Sequence, residues 1–536
     1  MPRSKNPARG RARRKQAERL GGFALGCVGF ALLLFAVGKA FSGEIDSLQT
    51  LSQTLSQTLS QTLSQTLSQT LSQTPSGPAP KAAPKAAPKA APAPVVTEVP
   101  AAPPGPVLDP DRPPNVLLIT LCSVRADRVG PSGHASADTP TLDALATEGV
   151  WFSHAWAPAT FTLPSHASMF TGLLPSRAGV METVDTIRTS VPTLPEILKL
   201  YGYHTVAYAP VSSRASFSAG YGFERGFDKF IEGGSGAASG NLGDLTALDA
   251  ITSAQPYFAV VHLKEAHPPY TPSRGTKVDP RILEWITRSG GGPGAQNPDE
   301  WMVGQMRDDP ALASAVAGLY DDALRRVDEH VGRILEGLRT RGALDHTIVI
   351  VAGDHGQALG EGGHIGHQGL LQPEVLNVPL LVRLPSDMPE ASRGLRVDAD
   401  VGLVDLLPTI VDLVDATPPA TLDGRSLVPL LQGETLSERG ALAQAVVQQP
   451  DGLGVATEVL VHGPLWLNFP MRGQGAWSLR RLSNGVWEPV DAADAADLAA
   501  PMLAERVLLS GVEAPPGTPA ALTAKQKEEL RLQGYW

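Results

Sequence analysis

Two segments far apart in the sequence carry side chains that could together form a metal centre for ester cleavage. The apolar run Val116–Leu121 ends at Cys122, and the apolar run Ile348–Gly353 ends at the pair Asp354 and His355. A carboxylate beside an imidazole at the end of a β-rich run is an arrangement that metal sites use, and zinc accepts sulfur, nitrogen and oxygen ligands. We therefore take Cys122, Asp354 and His355 as the candidate metal ligands.

Buried strands have to position these side chains, and the apolar pattern predicts where they lie. Apolar runs predict strands at Val116–Leu121, His204–Ala209, Tyr257–Leu263, Thr347–Ala352 and Leu380–Leu384. Amphipathic stretches predict helices at Leu142–Glu148, Thr193–Tyr201, Ala311–Arg341 and Val404–Val414. Strands separated by helices predict a doubly wound α/β fold, with a mostly parallel sheet covered on both faces. Functional groups gather beyond the C-terminal ends of such strands, which is where Cys122, His267 and Asp354 fall.

The pattern changes near residue 440. Short strands around Gly-rich turns are predicted at Val455–Val461 and Trp477–Leu482, followed by a charged helix or tail at Lys525–Leu532. We therefore divide the folded part into a main domain of residues 114–440 and a smaller C-terminal subdomain and tail of residues 441–536.

The N-terminus predicts a membrane anchor. Residues 1–20 form a basic tail with eight Lys or Arg against one Glu, and residues 21–41 are almost uninterruptedly apolar. About twenty apolar residues are what a helix needs to cross a bilayer. The basic flank predicts a cytoplasmic N-terminus and an exported remainder, periplasmic or at the cell surface. The alternative is a cleaved signal peptide, but no clear small-x-small cleavage site closes the stretch.

Residues 42–113 predict a low-complexity stalk. Six copies of Leu-Ser-Gln-Thr run from Leu51 to Thr74, and three copies of Lys-Ala-Ala-Pro begin at Lys81 before a Pro-rich stretch. A period of four does not keep leucines on one helical seam, so a flexible spacer is favoured over a coiled coil. The Pro-rich part favours extended polyproline II. We interpret the whole segment as a spacer that holds the folded domain off the membrane.

Charge and cysteine content narrow the function further. The net charge of −10 argues against a nucleic-acid partner, because phosphate binding needs a basic face. The two cysteines, Cys27 and Cys122, fall in the predicted membrane segment and in the exported domain, so no intramolecular disulfide is expected. The sequence leaves the oligomeric state open.

A series of ordered motifs runs from Pro114 to Leu431. The stretch from Asn115 to Asp127 and the loop Thr162-Leu-Pro-Ser-His-Ala-Ser are followed by further motifs that begin at Val261, Tyr320, Asp354, Asp405 and Leu422. Together they resemble the sulfatase family of the alkaline phosphatase superfamily. The resemblance implies the doubly wound fold and a metal-assisted centre for hydrolysis or transfer of sulfate or phosphate esters.

The resemblance implies roles for four more residues. Thr162 stands where the family has its nucleophile. A threonine cannot be converted to formylglycine, so a covalent phospho-threonine route is favoured over formylglycine chemistry. His166 replaces the usual arginine of this loop, and His267 and His367 fall where the family places substrate-contacting or leaving-group residues.

One departure from the family pattern concerns the metal. The family's opening strand ends in Asp, whereas this one ends in Cys122 and Ser123, so the hard oxygen ligand for calcium or magnesium is missing. Three alternatives stay open. The centre could be a zinc site that uses Cys122, an enzyme with another divalent metal, or a pseudoenzyme site without metal. Among the metals, zinc is favoured.

These features predict a membrane-anchored, exported hydrolase or transferase for sulfate or phosphate esters, with envelope glycans or lipids as candidate substrates. The alternative is a catalytically inactive protein of the same fold that binds or scaffolds in the cell envelope. We also expect His262, inside a predicted strand, to be a satisfied core histidine. Ser165 is expected to cap the helix that follows Thr162.

Overall fold

A computed structural model describes most of the chain beyond the predicted stalk. The described residues are 113–210, 217–233, 255–268, 270–273, 275–289, 298–385, 393–448, 454–471, 477–483 and 486–510. The predicted basic tail, membrane segment, stalk up to residue 112 and charged C-terminal helix lie outside these ranges. Within them, no helix has the length and apolar character that a bilayer crossing requires.

The main sheet is built from strands that the apolar runs form. The described strands before residue 441 are β1 (Asn115–Leu121), β2 (Val150–Trp156), β3 (His204–Pro210), β4 (Lys229–Gly233), β5 (Tyr257–Leu263), β6 (Thr347–Gly353), β7 (Ala358–Leu359), β8 (Ile365–Gly366), β9 (Asn377–Arg383), β10 (Leu395–Val397) and β11 (Val401–Gly402). Their order in the main sheet is β10-β2-β9-β6-β1-β5-β3-β4, with β11 beside β2. Strands β7 and β8 form a separate two-stranded ribbon. All neighbours in the main sheet are parallel except β9, which is antiparallel to β2 and β6. The predicted mostly parallel sheet is confirmed.

Helices connect the strands, and several begin with a proline, whose missing N–H costs nothing in the first turn. The described helices are α1 (Pro140–Glu148), α2 (Thr162–Thr171), α3 (Pro175–Ala178), α4 (Leu194–Leu200), α5 (Pro280–Ser289), α6 (Pro298–Asp308), α7 (Pro310–Thr340), α8 (Pro373–Leu376), α9 (Leu406–Leu413), α10 (Val428–Leu431) and α11 (Ala492–Ser510). The long helix α7 is capped by Asp309, whose side chain accepts a hydrogen bond from the backbone N–H of Ala311.

Strand β1 is covered on both faces, as its uninterrupted apolar sequence requires. Val116 and Leu118 pack into a core cluster with Ile410 of α9 on one face of the sheet. Leu117 and Ile119 face the other way and pack with residues of α7 such as Val316. The sheet therefore lies between two helical layers, and its central strands end in the protein interior.

The last part of the described chain forms a second sheet. It consists of β12 (Ala441–Gln448), β13 (Gly454–His462), β14 (Leu465–Pro470), β15 (Ser478–Ser483) and β16 (Val486–Pro489). The five strands pair antiparallel in sequence order. An isolated bridge between Ala159 and Gln444 connects this sheet to the segment just before α2. The two strands predicted in this region correspond to β13 and β15.

Candidate active site

Three neighbouring strands bring three side chains to one edge of the sheet. In the register of the sheet, Leu121 of β1 pairs with Leu263 of β5 on one side and with Gly353 of β6 on the other. The pairing continues one residue further, because Cys122 N–H donates to Leu263 O (2.8 Å) and Asp354 N–H donates to Leu121 O (3.1 Å). The residues that follow these strands are Lys264, Cys122 and Asp354. The predicted ligands Cys122 and Asp354 are thus adjacent, and Lys264 completes the row.

Helix α2 points its first residue at this edge. Thr162 is buried, and its Oγ1 lies 3.5 Å from Cys122 Sγ and 3.2 Å from His355 Nε2. The position before the helix, Phe161, provides no side-chain cap. Ser165, which we expected to cap α2, instead donates its hydroxyl hydrogen to Asp354 O (2.6 Å) and joins the helix to the end of β6. That expectation was wrong, because the end of β6 lies within reach of the hydroxyl.

One group of donor atoms is close enough to hold a metal ion. Among the described residues, one atom each of Cys122, His262 and Asp354 lie within 4.8 Å of one another. Asp354 Oδ1 accepts hydrogen bonds from the backbone N–H groups of Ser123 (3.1 Å) and His355 (2.7 Å). Asp354 Oδ2 and His262 Nε2 are buried without a hydrogen-bond partner. His262 is therefore not the satisfied core histidine that we expected, because its Nε2 is buried without a hydrogen-bond partner.

This donor set fits zinc and does not fit calcium or magnesium. The hard cations require several oxygen ligands, and the described group offers a single carboxylate, that of Asp354. Sulfur, nitrogen and oxygen donors together are typical of zinc sites. Burial and the negative charge of Asp354 raise the pKa of the Cys122 thiol well above its ordinary range. The sulfur consequently becomes a thiolate only where a cation compensates its charge.

The ring of His355 faces the nucleophile position. Its Nδ1 lies 2.9 Å from the backbone oxygen of Gly356, so this nitrogen carries the hydrogen and donates it. Nε2 is then the acceptor for the Thr162 hydroxyl. Burial lowers the pKa of His355 to about 4, so the ring is neutral near pH 7.

His166 belongs to helix α2 and lies between this helix and the sheet. It is fully buried, and its ring stacks on Phe217 with centroids 5.0 Å apart. Its Nδ1 lies 2.9 Å from Thr162 O, and its Nε2 lies 3.0 Å from Thr120 Oγ1. Both ring nitrogens are therefore used inside the protein.

His267 and His367 meet at the other side of His355. Their Nε2 atoms are 3.3 Å apart, and the rings of His367 and His355 have centroids 4.2 Å apart. His267 Nδ1 lies 2.7 Å from Pro268 O, and His367 Nδ1 lies 2.7 Å from Thr160 O. Burial lowers the pKa of both rings. The structure thus brings the two predicted histidines together, with His367 beside His355.

Lys264 is the residue of this site that the sequence analysis missed. Burial lowers the pKa of its ammonium group, while the charges of Cys122 and Asp354 act in the opposite direction. Its positive charge in turn contributes to the lowered pKa of His355. Because β5 pairs with β1, the residue after β5 had to lie beside Cys122, so the pairing of these two strands was the missing signal.

Comparisons with known proteins agree with this architecture. A family model described as Sulfatase matches residues 114–416. Similar proteins include a sulfatase from Formosa agariphila, 26% identical over 383 residues (60% of this chain and 73% of the relative). Another is the N-acetylgalactosamine-6-sulfatase of Homo sapiens, 27% identical over 372 residues (61% of this chain and 67% of the relative).

Solved structures with a similar fold include two enzymes. The phosphonate monoester hydrolase of Agrobacterium radiobacter superposes with a TM-score of 0.59 at 21% identity, covering 74% of this chain and 95% of that chain. A 2-O GAG sulfatase superposes with a TM-score of 0.60 at 19% identity, covering 78% of this chain and 100% of that chain. At these identities the likeness establishes the fold.

Proposed function

Because this chain belongs to the sulfatase family, we propose that it cleaves sulfate or phosphate esters with Thr162 as the nucleophile. The contact that supports this role is the 3.2 Å approach of Thr162 Oγ1 to His355 Nε2. Since His355 Nδ1 donates to Gly356 O, Nε2 has a lone pair and the threonine hydroxyl donates to it. A hydroxyl paired with an oriented base is the usual arrangement of an activated nucleophile.

The reaction follows from this pair. The Thr162 oxygen forms a bond to the sulfur or phosphorus atom while the bond from that atom to the ester oxygen breaks. The hydroxyl proton passes to His355 Nε2, and His355 then gives the same proton to the leaving ester oxygen. Water then cleaves the threonine ester, which releases sulfate or phosphate and restores the hydroxyl; an acceptor alcohol in place of water makes the protein a transferase.

Cations at the site stabilise the transferring group. Cys122 and Asp354 are suited to hold a zinc ion, which supplies positive charge to the nucleophile and to the transferring group when bound. Lys264 adds a second positive charge at the same edge of the sheet. His267 and His367 extend the site beyond His355, and we propose that they contact the leaving group of the ester.

The substrate class is proposed from the relatives and from the predicted tether. The relatives include an enzyme named for N-acetylgalactosamine 6-sulfate, and the structures include a GAG sulfatase and a phosphonate monoester hydrolase. A membrane anchor at residues 21–41 would keep the domain near envelope glycans and lipids on the exported side. We propose esters of such molecules as substrates.

Replacement of Thr162 tests the proposed function. The full chain, purified in detergent and supplied with zinc, is assayed with p-nitrophenyl sulfate, phosphate and phenylphosphonate. We expect Thr162→Ala to lower kcat/KM by about 10³-fold or more, because the covalent route is lost. Thr162→Ser keeps the hydroxyl and is expected to retain measurable activity.

Two results would contradict the proposal. Equal activity of Thr162→Ala and the unmodified chain would exclude Thr162 as the nucleophile. No turnover of any of the three ester classes would favour the inactive scaffold. The observation in favour of that second function is the single carboxylate of the described donor group, where the family resemblance implies more.

A further inference from the structure

Two buried atoms of the site have no hydrogen-bond partner. His262 Nε2 and Asp354 Oδ2 are completely enclosed, and neither has a hydrogen-bond partner. Leaving a buried polar group unpaired costs about 1–3 kcal/mol. His262 and Asp354 each contribute one atom to the group of donors that also contains Cys122. What lies between them can be inferred from the hydrogen positions on the neighbouring side chains.

The hydrogens are fixed by a chain of three contacts that begins at helix α2. Thr162 O can only accept, so His166 Nδ1, at 2.9 Å, donates to it. In neutral His166 the other nitrogen, Nε2, is then an acceptor, and the Thr120 hydroxyl at 3.0 Å donates to it. The Thr120 oxygen has now used its hydrogen, so His262 Nδ1, at 2.8 Å, must donate to it. A neutral His262 with hydrogen on Nδ1 has a bare lone pair on Nε2.

The chain requires that His166 is neutral, and its surroundings favour this. Phe170 and Phe217 stack on the ring, and Phe223 meets its edge. Its contact with Asp354 Oδ2 is 3.8 Å, too long for a hydrogen bond that would favour a charged pair. His166 and His262 are both completely buried.

We propose that His262 is the nitrogen ligand of a zinc ion that Cys122 and Asp354 also bind, and that His166 and Thr120 are positioning residues for it. The inference rests on the proposed function and adds a ligand to it. A ligating histidine commonly donates its other ring N–H to a fixed acceptor, which sets its tautomer. Thr120 is that acceptor here.

Zinc stoichiometry tests the ligand assignment independently of activity. The full chain is purified in detergent, stripped with a chelator, reloaded with zinc and analysed for bound metal, and loading is repeated with cobalt(II). We expect one zinc per chain and a thiolate-to-cobalt absorption band. His262→Gln should weaken zinc binding by at least 100-fold, and Thr120→Val by about 10- to 100-fold through the lost acceptor. His346→Ala, at a histidine that precedes β6 at the opposite end of the strand from Asp354 and contacts Pro113 O, is the matched control and should bind zinc normally.

The outcomes separate the ligand assignment from the proposed function. Thermal unfolding of each chelated variant establishes that it folds. If His262→Gln does not fold, Thr120→Val, which keeps the shape of the side chain, tests the ligand assignment in its place. Zinc binding that survives His262→Gln but disappears in His355→Ala would overturn the assignment in favour of His355. An unmodified chain that binds neither zinc nor cobalt would overturn it altogether. Thr162→Ala should keep its zinc while losing activity, so a failure of the nucleophile proposal is seen separately.

Discussion

Burial of individual side chains determines which groups of this site carry charge. Neutral imidazoles surround one carboxylate and one thiol, and burial lowers the pKa of each ring in the set His166, His262, His267, His355 and His367. A protonated ring would have to exist without water around it. His355 therefore presents a lone pair to the site, and Lys264 supplies positive charge.

The lowered pKa of His355 makes the stability of the metal-free protein depend on pH. The folded-state pKa is about 4 against an ordinary value of 6.5, so between these values the unfolded chain binds more protons than the folded one. The stability contributed by the neutral ring is fully present above pH 6.5 and is lost as the pH falls toward 4. For this ring alone the free energy of unfolding should fall by up to about 3 kcal/mol.

Urea unfolding of the chelated chain at pH 7.5, 6, 5 and 4.5 measures this effect. His355→Gln should show a smaller decline with pH than the unmodified chain, whereas His346→Ala should show the same decline. An unfolding free energy that stays constant between pH 6.5 and 4.5 would contradict the assignment of a buried neutral ring.

Local sequence was sufficient for some residues of the site and insufficient for others. Cys122, Asp354 and Thr162 were found because they follow apolar runs or stand in a specific motif, and the structure brings them together. Lys264 and His262 were not recognised as site residues. Their position depends on which strand pairs with β1, and strand pairing is a non-local property that the apolar pattern does not encode.

At the level of elements, strands with an uninterrupted apolar sequence were predicted with close bounds. Strands whose sequence contains polar residues or proline were not. The predicted strand Tyr257–Leu263 matches β5 at both ends. Strand β9 begins at Asn377 instead of the predicted Leu380, and it includes Pro379. Pairing with β6 starts only at Leu380, so the missing N–H of the proline interrupts no bond to that neighbour. Strand β2 was missed because Ser153 and His154 break its apolar run.

The hydroxyl of Ser165 joins helix α2 to the end of β6. Two serines of this helix, Ser165 and Ser168, allow a matched comparison. Ser165 donates to Asp354 O at 2.6 Å, whereas Ser168 Oγ is buried without a partner. We expect Ser165→Ala to lower the free energy of unfolding by about 1–3 kcal/mol, because a buried acceptor loses its donor. Ser168→Ala should be neutral or stabilising. Urea unfolding curves measure both, and equal losses in the two variants would show that the bond from Ser165 does not secure the helix.

At the level of the whole molecule, the order of strands explains how distant sequence segments share one site. Residues 122, 264 and 354 span more than two hundred positions along the chain, yet they directly follow three adjacent strands. The sequence pattern indicated the layered α/β class, since apolar runs alternate with amphipathic stretches along the chain. The sequence could not indicate the order in which the parallel strands lie, because many orders satisfy the same pattern.

The proposed membrane topology can be tested by labelling introduced cysteines, because the chain's own two cysteines should react little. Cys122 is fully buried and Cys27 lies in the predicted membrane segment, whereas Leu200 on α4 is 85% exposed. We expect Leu200→Cys to react with a membrane-impermeant maleimide in intact cells, with any outer barrier permeabilised. Gln16→Cys, in the predicted cytoplasmic tail, should react only after lysis. The reverse pattern would contradict export of the folded domain.

The bridge between the second sheet and the segment before α2 has a consequence for how this protein could be divided. Gln444 N–H donates to Pro158 O (2.8 Å), its side-chain oxygen accepts from Ser176 N–H (2.9 Å), and its side-chain amide donates to the buried carboxylate of Glu458. Two residues after Pro158, the carbonyl of Thr160 holds the ring of His367. The border near residue 440 is thus a change of architecture and not a line along which the chain can be cut. A fragment that ends near residue 440 would lose the contacts of Gln444 with the segment that precedes Thr162. Recombination between relatives should therefore exchange both sheets together.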